Sequence, residues 1–245
     1  MHFTSLFPNP KPVLAMLHLK GEGRDDVLAR ALRETEILAA NGADGLVVEN
    51  YFGDVDDVKA VLAEFRENPP SIPYGVNVLD DGPASFALAD EFGASFVQMD
   101  SVAGHLRPAE DVAFSEALAA MRAESEAVLL GGVRFKYQPV LSGNSLETDL
   151  RLAMDRCDAV VVTGDRTGQP TPVDKIRTFR AVLGTEFPLV IGAGVTVTNC
   201  AEQLQLGDGL IVGSSLKIDG AAEGEVSPEA VAQFVDAVRQ VREQL

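Results

Sequence analysis

The chain has few cysteines and no long apolar run, and each shortage excludes a class of protein. Its two cysteines, Cys157 and Cys200, form neither a disulfide framework nor a thiolate metal motif. Such sparse cysteine is typical of a reducing compartment, so we expect a cytoplasmic protein. No segment reaches the roughly 18 apolar residues that a transmembrane helix needs, and the first residues lack the apolar core of a signal peptide. We therefore expect a soluble protein with no transmembrane segment.

Basic residues are scarce as well. The 20 lysines and arginines face 37 acidic residues, giving a net charge of −17, and only 6 of the 20 are lysine. No basic patch is available to neutralise a phosphate backbone, so we expect no nucleic-acid partner. An acidic surface poor in lysine also suits a halophile, whose salty cytoplasm screens self-repulsion. An ordinary acidic protein is the alternative.

Short β-branched runs followed by amphipathic stretches recur eight times along the chain. Strict alternation of strand and helix implies parallel strands, and eight of these close most simply into a barrel. The length of 245 residues is typical of one such barrel. We therefore predict a single α/β domain, a (β/α)8 TIM barrel over residues 1–245. The predicted strands are Val13–Leu19, Gly45–Tyr51, Tyr74–Leu79, Ser95–Ser101, Ala127–Lys136, Ala159–Asp165, Leu189–Val195 and Gly209–Lys217. The predicted helices are Asp26–Asn41, Val55–Asn68, Ala84–Phe92, Asp111–Ser125, Ser145–Arg156, Val173–Leu183, Thr198–Leu206 and Pro228–Leu245.

The two halves of the chain share one spacing. Adding 114 to the starts of the first four predicted strands gives the starts of the last four to within a residue, and residues 43–48 resemble residues 157–162. A duplicated half-barrel predicts this repeat. A narrow range of connection lengths would also produce it.

The last two predicted strands each end on small residues. Glycines let backbone N–H groups approach a ligand, serine hydroxyls donate hydrogen bonds, and a following helix N-terminus adds a positive dipole. The loops after strands 7 and 8 of such barrels often hold a phosphate. We therefore predict a phosphate site formed by Gly192, Gly194, Gly213, Ser214 and Ser215.

Strand alternation predicts which side chains face the barrel lumen. One class of positions is apolar along the strands but polar at their carboxyl ends, where barrel enzymes perform their chemistry. Glu49 and Asp100 would serve there as general base and acid, or else balance a buried lysine as ion partners. His18 would be an acid or ligand-binding group, or a hydrogen-bonded histidine capping the core. Asn77 would stabilise an oxyanion.

Lys136 is predicted to end the fifth strand, on the same side as Arg134. Two roles fit a lysine there, a Schiff base with a carbonyl substrate or an electrostatic contact to a phosphate or carboxylate. No cofactor is certain. His18, Glu49 and Asp100 have ligand types that suit Mg²⁺ or Mn²⁺, although they come from separate strands without motif spacing.

The segment Asp165–Thr171 contains turn residues and a glycine that favours bending. Asp165, Thr167 and Gly168 therefore form a candidate lid over a substrate. An ordinary surface loop is the alternative.

Four strings resemble the BtpA/SgcQ family: residues 12–19, 42–50, 75–79 and 208–217. The resemblance extends over nearly the whole chain and implies a barrel of the ribulose-phosphate-binding type. The family takes its name from a cyanobacterial factor linked to photosystem I accumulation and from proteins of sugar-utilisation operons. This chain has Gln98-Met99-Asp100 where the family tends to have Arg-Val-Asn, and it keeps the family's lysine at Lys136.

Three functions remain open from the sequence. The first is an enzyme, a lyase, aldolase or isomerase, acting on a small phosphorylated sugar by proton transfer beside a carbonyl. The second, implied by the resemblance alone, is a non-enzymatic factor for biogenesis of a photosystem or another membrane complex. The third is a regulatory barrel that binds a phosphorylated ligand. We expect a small phosphorylated substrate and a homo-oligomer.

Overall fold

The computed structural model describes residues 2–244, which fold as a closed barrel of eight parallel strands in chain order. Helices cover the barrel and alternate with the strands, as predicted. The strands are β1 Val13–His18, β2 Gly45–Glu49, β3 Tyr74–Asn77, β4 Phe96–Ala103, β5 Val128–Val133, β6 Ala159–Val162, β7 Leu189–Gly192 and β8 Gly209–Val212. The helices are α1 Phe3–Leu6, α2 Arg24–Ala40, α3 Val55–Glu67, α4 Gly82–Phe92, α5 Pro108–Glu124, α6 Leu146–Arg156, α7 Val173–Leu183, α8 Cys200–Leu204 and α9 Pro228–Arg242.

Strand alternation divides the buried residues into two cores, which confirms the predicted parity. One core fills the lumen with side chains such as Leu14, Met16 and Val47. The other lies between strands and helices and contains Ala15, Leu17 and many more. Because successive side chains point to opposite faces of a strand, a residue's position along the strand decides which core it joins.

The first helix was not predicted. Phe3 of α1 and Phe7 behind it are buried in the lumen core, and the Phe7 ring lies 5.8 Å from the ring of Phe96, the first residue of β4. These rings close the amino-terminal end of the lumen. The opposite end, where the strands finish, remains open for a site.

Most predicted strands run past the observed ones. The fifth ends at Val133 rather than Lys136, and the eighth ends at Val212 rather than Lys217. The chain breaks strand geometry at Arg134, whose φ is +45°, and enters a short 3₁₀ turn at Ser214–Leu216. Parity therefore stops applying before either lysine is reached. The predicted last helix ends at Arg242, and Leu245 lies outside the described residues.

The repeated spacing reappears in the structure together with a repeated contact. β5 to β8 begin within one residue of 114 positions after β1 to β4. Asp44, before β2, accepts from the Val13 N–H and pairs with Arg242. Asp158, 114 positions later, accepts from the Leu129 N–H and pairs with Arg122. This recurrence supports the predicted duplication.

Loss of the Asp44 carboxylate will destabilise the barrel. Asp44 is 2% exposed, so Asp44→Ala leaves both the Val13 N–H and the Arg242 guanidinium without this partner inside the protein. We expect the free energy of unfolding to fall by about 3 kcal/mol in urea denaturation. The matched control is Asp236→Ala, which breaks an exposed pair with Arg239 and should cost less than about 1 kcal/mol. Equal losses would show that Asp44 adds nothing beyond a surface ion pair.

Candidate active site

A cavity of about 250 Å³ opens at the carboxyl end of the barrel, and we call it the mouth cavity. Its volume is slightly below the range of about 300 to 1,000 Å³ that is usual for ligand pockets. All five residues predicted to bind phosphate line it, and so do His18, Glu49 and Lys136. The full lining is Met16, His18, Glu49, Tyr51, Gln98, Phe135, Lys136, Val161, Thr163, Thr167, Gly168, Gly192, Ala193, Gly194, Val195, Thr196, Ile211, Gly213, Ser214, Ser215 and Gly220.

The loop after β7 bends sharply where it packs against the loop after β6. Ala193 and Gly194 both have left-handed backbones, with φ of +64° and +61°. A Cβ at Gly194 would lie 2.2 Å from the backbone carbonyl carbon of Gln169, so only glycine fits there. Within residues 2–244, the N–H groups of Gly194 and Ser214 have no acceptor. These N–H groups are thus available to a ligand in the cavity.

Ser215 connects the two glycine-rich segments rather than presenting a free donor. Its hydroxyl donates to the carbonyl oxygen of Val195, across from the β8 turn to the β7 loop. The helix expected after the β7 loop is also shorter than predicted, because Thr196 to Asn199 form a capped turn before α8 begins. The dipole expected from that helix is correspondingly small.

Glu49 ends β2 and lies on the inner wall of the mouth cavity. The amide Nδ2 of Asn77, on β3, donates to Glu49 Oε1 at 2.9 Å and to Asp100 Oδ1 at 3.2 Å. Burial, reinforced by the charge of Asp100, raises the pKa of Glu49 to about 7. A carboxyl group with that pKa can both take and return a proton near neutral pH. Because both Asn77 contacts go to carboxylates, its amide orients Glu49 rather than facing the cavity.

Asp100 accepts a hydrogen bond from the same Asn77 amide as Glu49, but it does not line the mouth cavity. The β4 to β5 register shifts between Met99 and Ala103, and Asp100 lies within that irregular stretch. It lines a separate cavity beside α4 and α5. Burial raises the pKa of Asp100, while the hydrogen bond from Asn77 and the charge of Lys136 oppose that change.

His18 is buried and contacts a lysine that the sequence did not single out. Its Nε2 lies 3.5 Å from Glu49 Oε2, and its Nδ1 lies 3.3 Å from the Nζ of Lys217. Burial, followed by the Lys217 charge, lowers the pKa of His18 to about 3. Burial lowers the pKa of Lys217 to about 8. Lys217 follows the 3₁₀ turn, so strand parity could not assign it to the site; its place in the family-like string at residues 208–217 was the only signal.

Lys136 reaches the cavity from a turn, not from the end of a strand. Its Nζ lies 3.3 Å from Thr167 Oγ1. The prediction that Arg134 lies beside it facing inward is wrong. The positive φ of Arg134 turns its side chain outward, where it pairs with the buried Asp149 at 2.9 Å. Lys136 therefore shares the cavity with Glu49, and Arg134 does not line it.

Two of the three residues of the candidate lid line the mouth cavity. Thr167 and Gly168 line the mouth cavity, and the Thr167 N–H donates to the Tyr137 hydroxyl at 3.0 Å. Asp165 is exposed and does not line the cavity, since the chain leaves strand geometry after Val162. The loop after β6 thus lines the mouth cavity through Thr167 and Gly168, and the Asp165 carboxylate takes no part.

The residues weighed for a divalent metal do not fit one. His18 approaches Glu49, but the Asn77 amide lies between Glu49 and Asp100 and donates to both. Over residues 2–244, no three His, Cys, Asp or Glu side chains converge in a metal-binding group.

Comparison with known proteins places the chain in a family. The BtpA family model matches residues 9–240. An uncharacterized protein of Thermococcus kodakarensis, TK2179, is 31% identical over 95% of this chain and 97% of its own length. The photosystem I biogenesis protein BtpA of Synechocystis is 27% identical over 97% and 91%.

A solved phosphoribosylanthranilate isomerase of Thermotoga maritima shares the fold. It superposes with a TM-score of 0.61 at 15% identity, over 94% of this chain and 99% of its own. Across the described part of the chain, no helix is long and apolar enough to cross a membrane. Because the family model matches nearly its whole length, the chain belongs to the BtpA family.

Proposed function

We propose that this barrel is an enzyme that binds a small phosphorylated sugar and moves a proton next to its carbonyl group. The observation that carries the proposal is the convergence of two glycine-rich segments, Glu49 and Lys136 on one cavity of about 250 Å³. The phosphate would lie against Gly192, Gly194, Gly213 and Ser214, and the unpaired N–H groups of Gly194 and Ser214 can donate to its oxygens. The fold shared with a phosphoribosyl-handling isomerase is consistent with this use of the β7 and β8 loops.

Glu49 is the proton carrier in this proposal. As a carboxylate it removes a proton from the carbon beside the carbonyl, and as an acid it returns the proton to a neighbouring carbon or oxygen. Asp100 is less suited, because it lies outside the mouth cavity. Asn77 instead holds Glu49 by a hydrogen bond that lowers its pKa, while the charge of Asp100 raises that pKa.

Lys136 supplies the positive charge. Removing a proton beside a carbonyl places negative charge on the carbonyl oxygen, and an ammonium group in a cavity that excludes water stabilises it. A Schiff base would use the same lysine, and borohydride trapping of the bound substrate distinguishes the two. A stable adduct on Lys136 would assign the Schiff base, and its absence despite turnover leaves the electrostatic role.

A sensor that only binds ligand has no need of Glu49 in its buried state. Burying an ionisable carboxyl group beside Asp100 costs stability, and a site for binding alone would be cheaper without it. This cost favours catalysis over the regulatory alternative. Turnover assays on every phosphosugar that binds will separate the two.

Binding is tested with a panel of phosphosugars and their unphosphorylated counterparts, followed by calorimetry. We expect only the phosphorylated compounds to raise the melting temperature. Gly194→Ala should weaken their binding by about tenfold or more, because its Cβ pushes the β7 loop off Gln169. The matched control is Gly184→Ala, which has a similar positive φ of +72° but open space around it. Equal binding by the two variants would place the phosphate elsewhere.

A further inference from the structure

Polar contacts continue from Glu49, on the wall of the mouth cavity, to the buried side chains of His18 and Lys217. His18 lies between Glu49 and Lys217, with its two ring nitrogens 3.5 Å and 3.3 Å from their side chains. The ring is fixed in this orientation. A Cβ at Gly213 would lie 3.2 Å from His18 Cε1, and the Tyr51 ring centroid lies 5.0 Å away on another side.

The position of the proton on His18 follows from its neighbours. Nδ1 lies 3.2 Å from the carbonyl oxygen of Ala222, and the Lys217 ammonium donates to that oxygen at 2.8 Å. With Lys217 charged, its N–H groups reach both Ala222 O and Nδ1, so Nδ1 can be an acceptor. Nε2 then carries the hydrogen and faces the Glu49 carboxylate, 3.5 Å away. Without the ammonium, Nδ1 would need its own hydrogen to face a carbonyl oxygen.

We propose that Lys217 and His18 form a proton relay that reloads Glu49 from inside the barrel, with Lys217 acting on Glu49 through His18. The Lys217 Nζ–H bond breaks as an Nδ1–H bond forms, and the Nε2–H bond breaks as a bond forms to Glu49 Oε2. The products are a neutral lysine amine, the Nδ1–H form of a neutral imidazole, and a carboxylic acid. No proton is gained or lost, and the reverse transfer restores the starting state.

The electrostatics of the three groups match this exchange. The pKa values of Glu49, about 7, and of Lys217, about 8, are close, so a proton passes between the two groups at little cost in free energy. The pKa of about 3 for His18 keeps the imidazole neutral, as a relay by tautomer exchange requires. Other charged groups face the relay: Asp100 and Lys136 toward Glu49, Lys136 and Arg30 toward His18, and Glu34, Arg30 and Glu223 toward Lys217.

The relay rests on the proposed function, but its first test needs no substrate. The chain has three histidines, so nitrogen-15 NMR of the imidazoles resolves the tautomer of His18. At about pH 7.5 we expect the wild-type ring to carry its hydrogen on Nε2, because Glu49 is mostly ionised and Lys217 mostly charged. An Nδ1–H ring in the wild type would overturn the relay without any variant.

Lys217→Met removes the ammonium while keeping a long side chain. We expect His18 to switch to the Nδ1–H form and donate to Ala222 O. The pKa of Glu49 should rise, because the Lys217 charge that lowers it is gone. The matched control is Lys11→Met, since Lys11 also hydrogen-bonds carbonyl oxygens, those of Leu204 and Gly207, away from the mouth cavity. The control should keep the wild-type tautomer. The same tautomer in Lys217→Met and wild type would overturn the proposal.

Kinetics then connect the relay to catalysis. With any phosphosugar that the wild type turns over, we expect Lys217→Met to shift the acidic limb of kcat/KM to higher pH, with a rate at pH 7 lower by about tenfold. The rate should recover as pH rises. A uniform loss at every pH would mean a purely structural role for Lys217. If no phosphosugar binds while the tautomer switches as expected, the proposed function fails and the proton contacts stand.

Discussion

Replacing Glu49 with glutamine will lower kcat for the phosphorylated substrate by about 10² to 10⁴, the usual contribution of a general acid–base group. Glutamine keeps the shape and accepts the same hydrogen bond from Asn77, so phosphate binding at Gly194 and Ser214 should persist. KM is therefore expected to change little. Steady-state kinetics with calorimetric binding on the same variant measure both effects.

The pH profile identifies what Glu49 does. If Glu49 acts as the base, kcat/KM rises with pH and levels off above its pKa of about 7. Asp100→Asn removes a charge that raises this pKa, so the limb should move to lower pH. A Glu49→Gln enzyme with wild-type turnover, or a limb unmoved in Asp100→Asn, would remove Glu49 from the proton transfer.

Acid will destabilise the protein through His18 by up to about 5 kcal/mol. The folded protein holds the pKa of His18 at about 3, against its ordinary value of 6.5. Below pH 6.5 the unfolded chain binds a proton on this imidazole that the folded protein binds only near pH 3, so falling pH favours unfolding. Each unit of difference is worth about 1.36 kcal/mol, so a gap of about 3.5 units gives about 5 kcal/mol.

The contribution of His18 is isolated by comparing slopes rather than absolute stabilities. Urea denaturation of His18→Gln should show a free energy of unfolding that falls less steeply between about pH 6.5 and about pH 3 than in the wild type. His105→Gln is the graded control. Burial lowers the pKa of His105 as well, but the Asp111 charge opposes that shift, so its variant should change the slope less. Identical slopes for His18→Gln and wild type would mean that His18 takes up protons freely in the folded protein.

The sequence was sufficient to predict the barrel and the parity of its strands, because side-chain alternation is a regular geometric property. The alternation correctly predicted that His18, Glu49 and Asn77 lie at the carboxyl end of the barrel, since each lies within a strand. The sequence also placed the two glycine-rich segments after β7 and β8. Asp100 is the exception, since it lies at the irregular stretch of β4 and lines a separate cavity rather than the mouth cavity.

Side chains beyond the strand ends could not be assigned in this way. Arg134 was expected to face inward beside Lys136, yet its positive φ turns it to Asp149. Lys217 lies beyond a 3₁₀ turn, and its contact with His18 depends on how the chain folds back at Ala222. Backbone turns of this kind are set by tertiary packing, and no periodic pattern encodes them.

The proposed activity requires Glu49 to be an acid of nearly neutral pKa beside a bound phosphate. Carbon-13 NMR of the glutamate carboxyl groups, assigned with Glu49→Gln, measures that pKa directly with and without a saturating phosphosugar. We predict a midpoint of about 7 in the free protein and a higher one with ligand, because a phosphate anion in the same cavity opposes ionisation. A midpoint near the ordinary value of 4.5, unmoved by any phosphosugar, would contradict it.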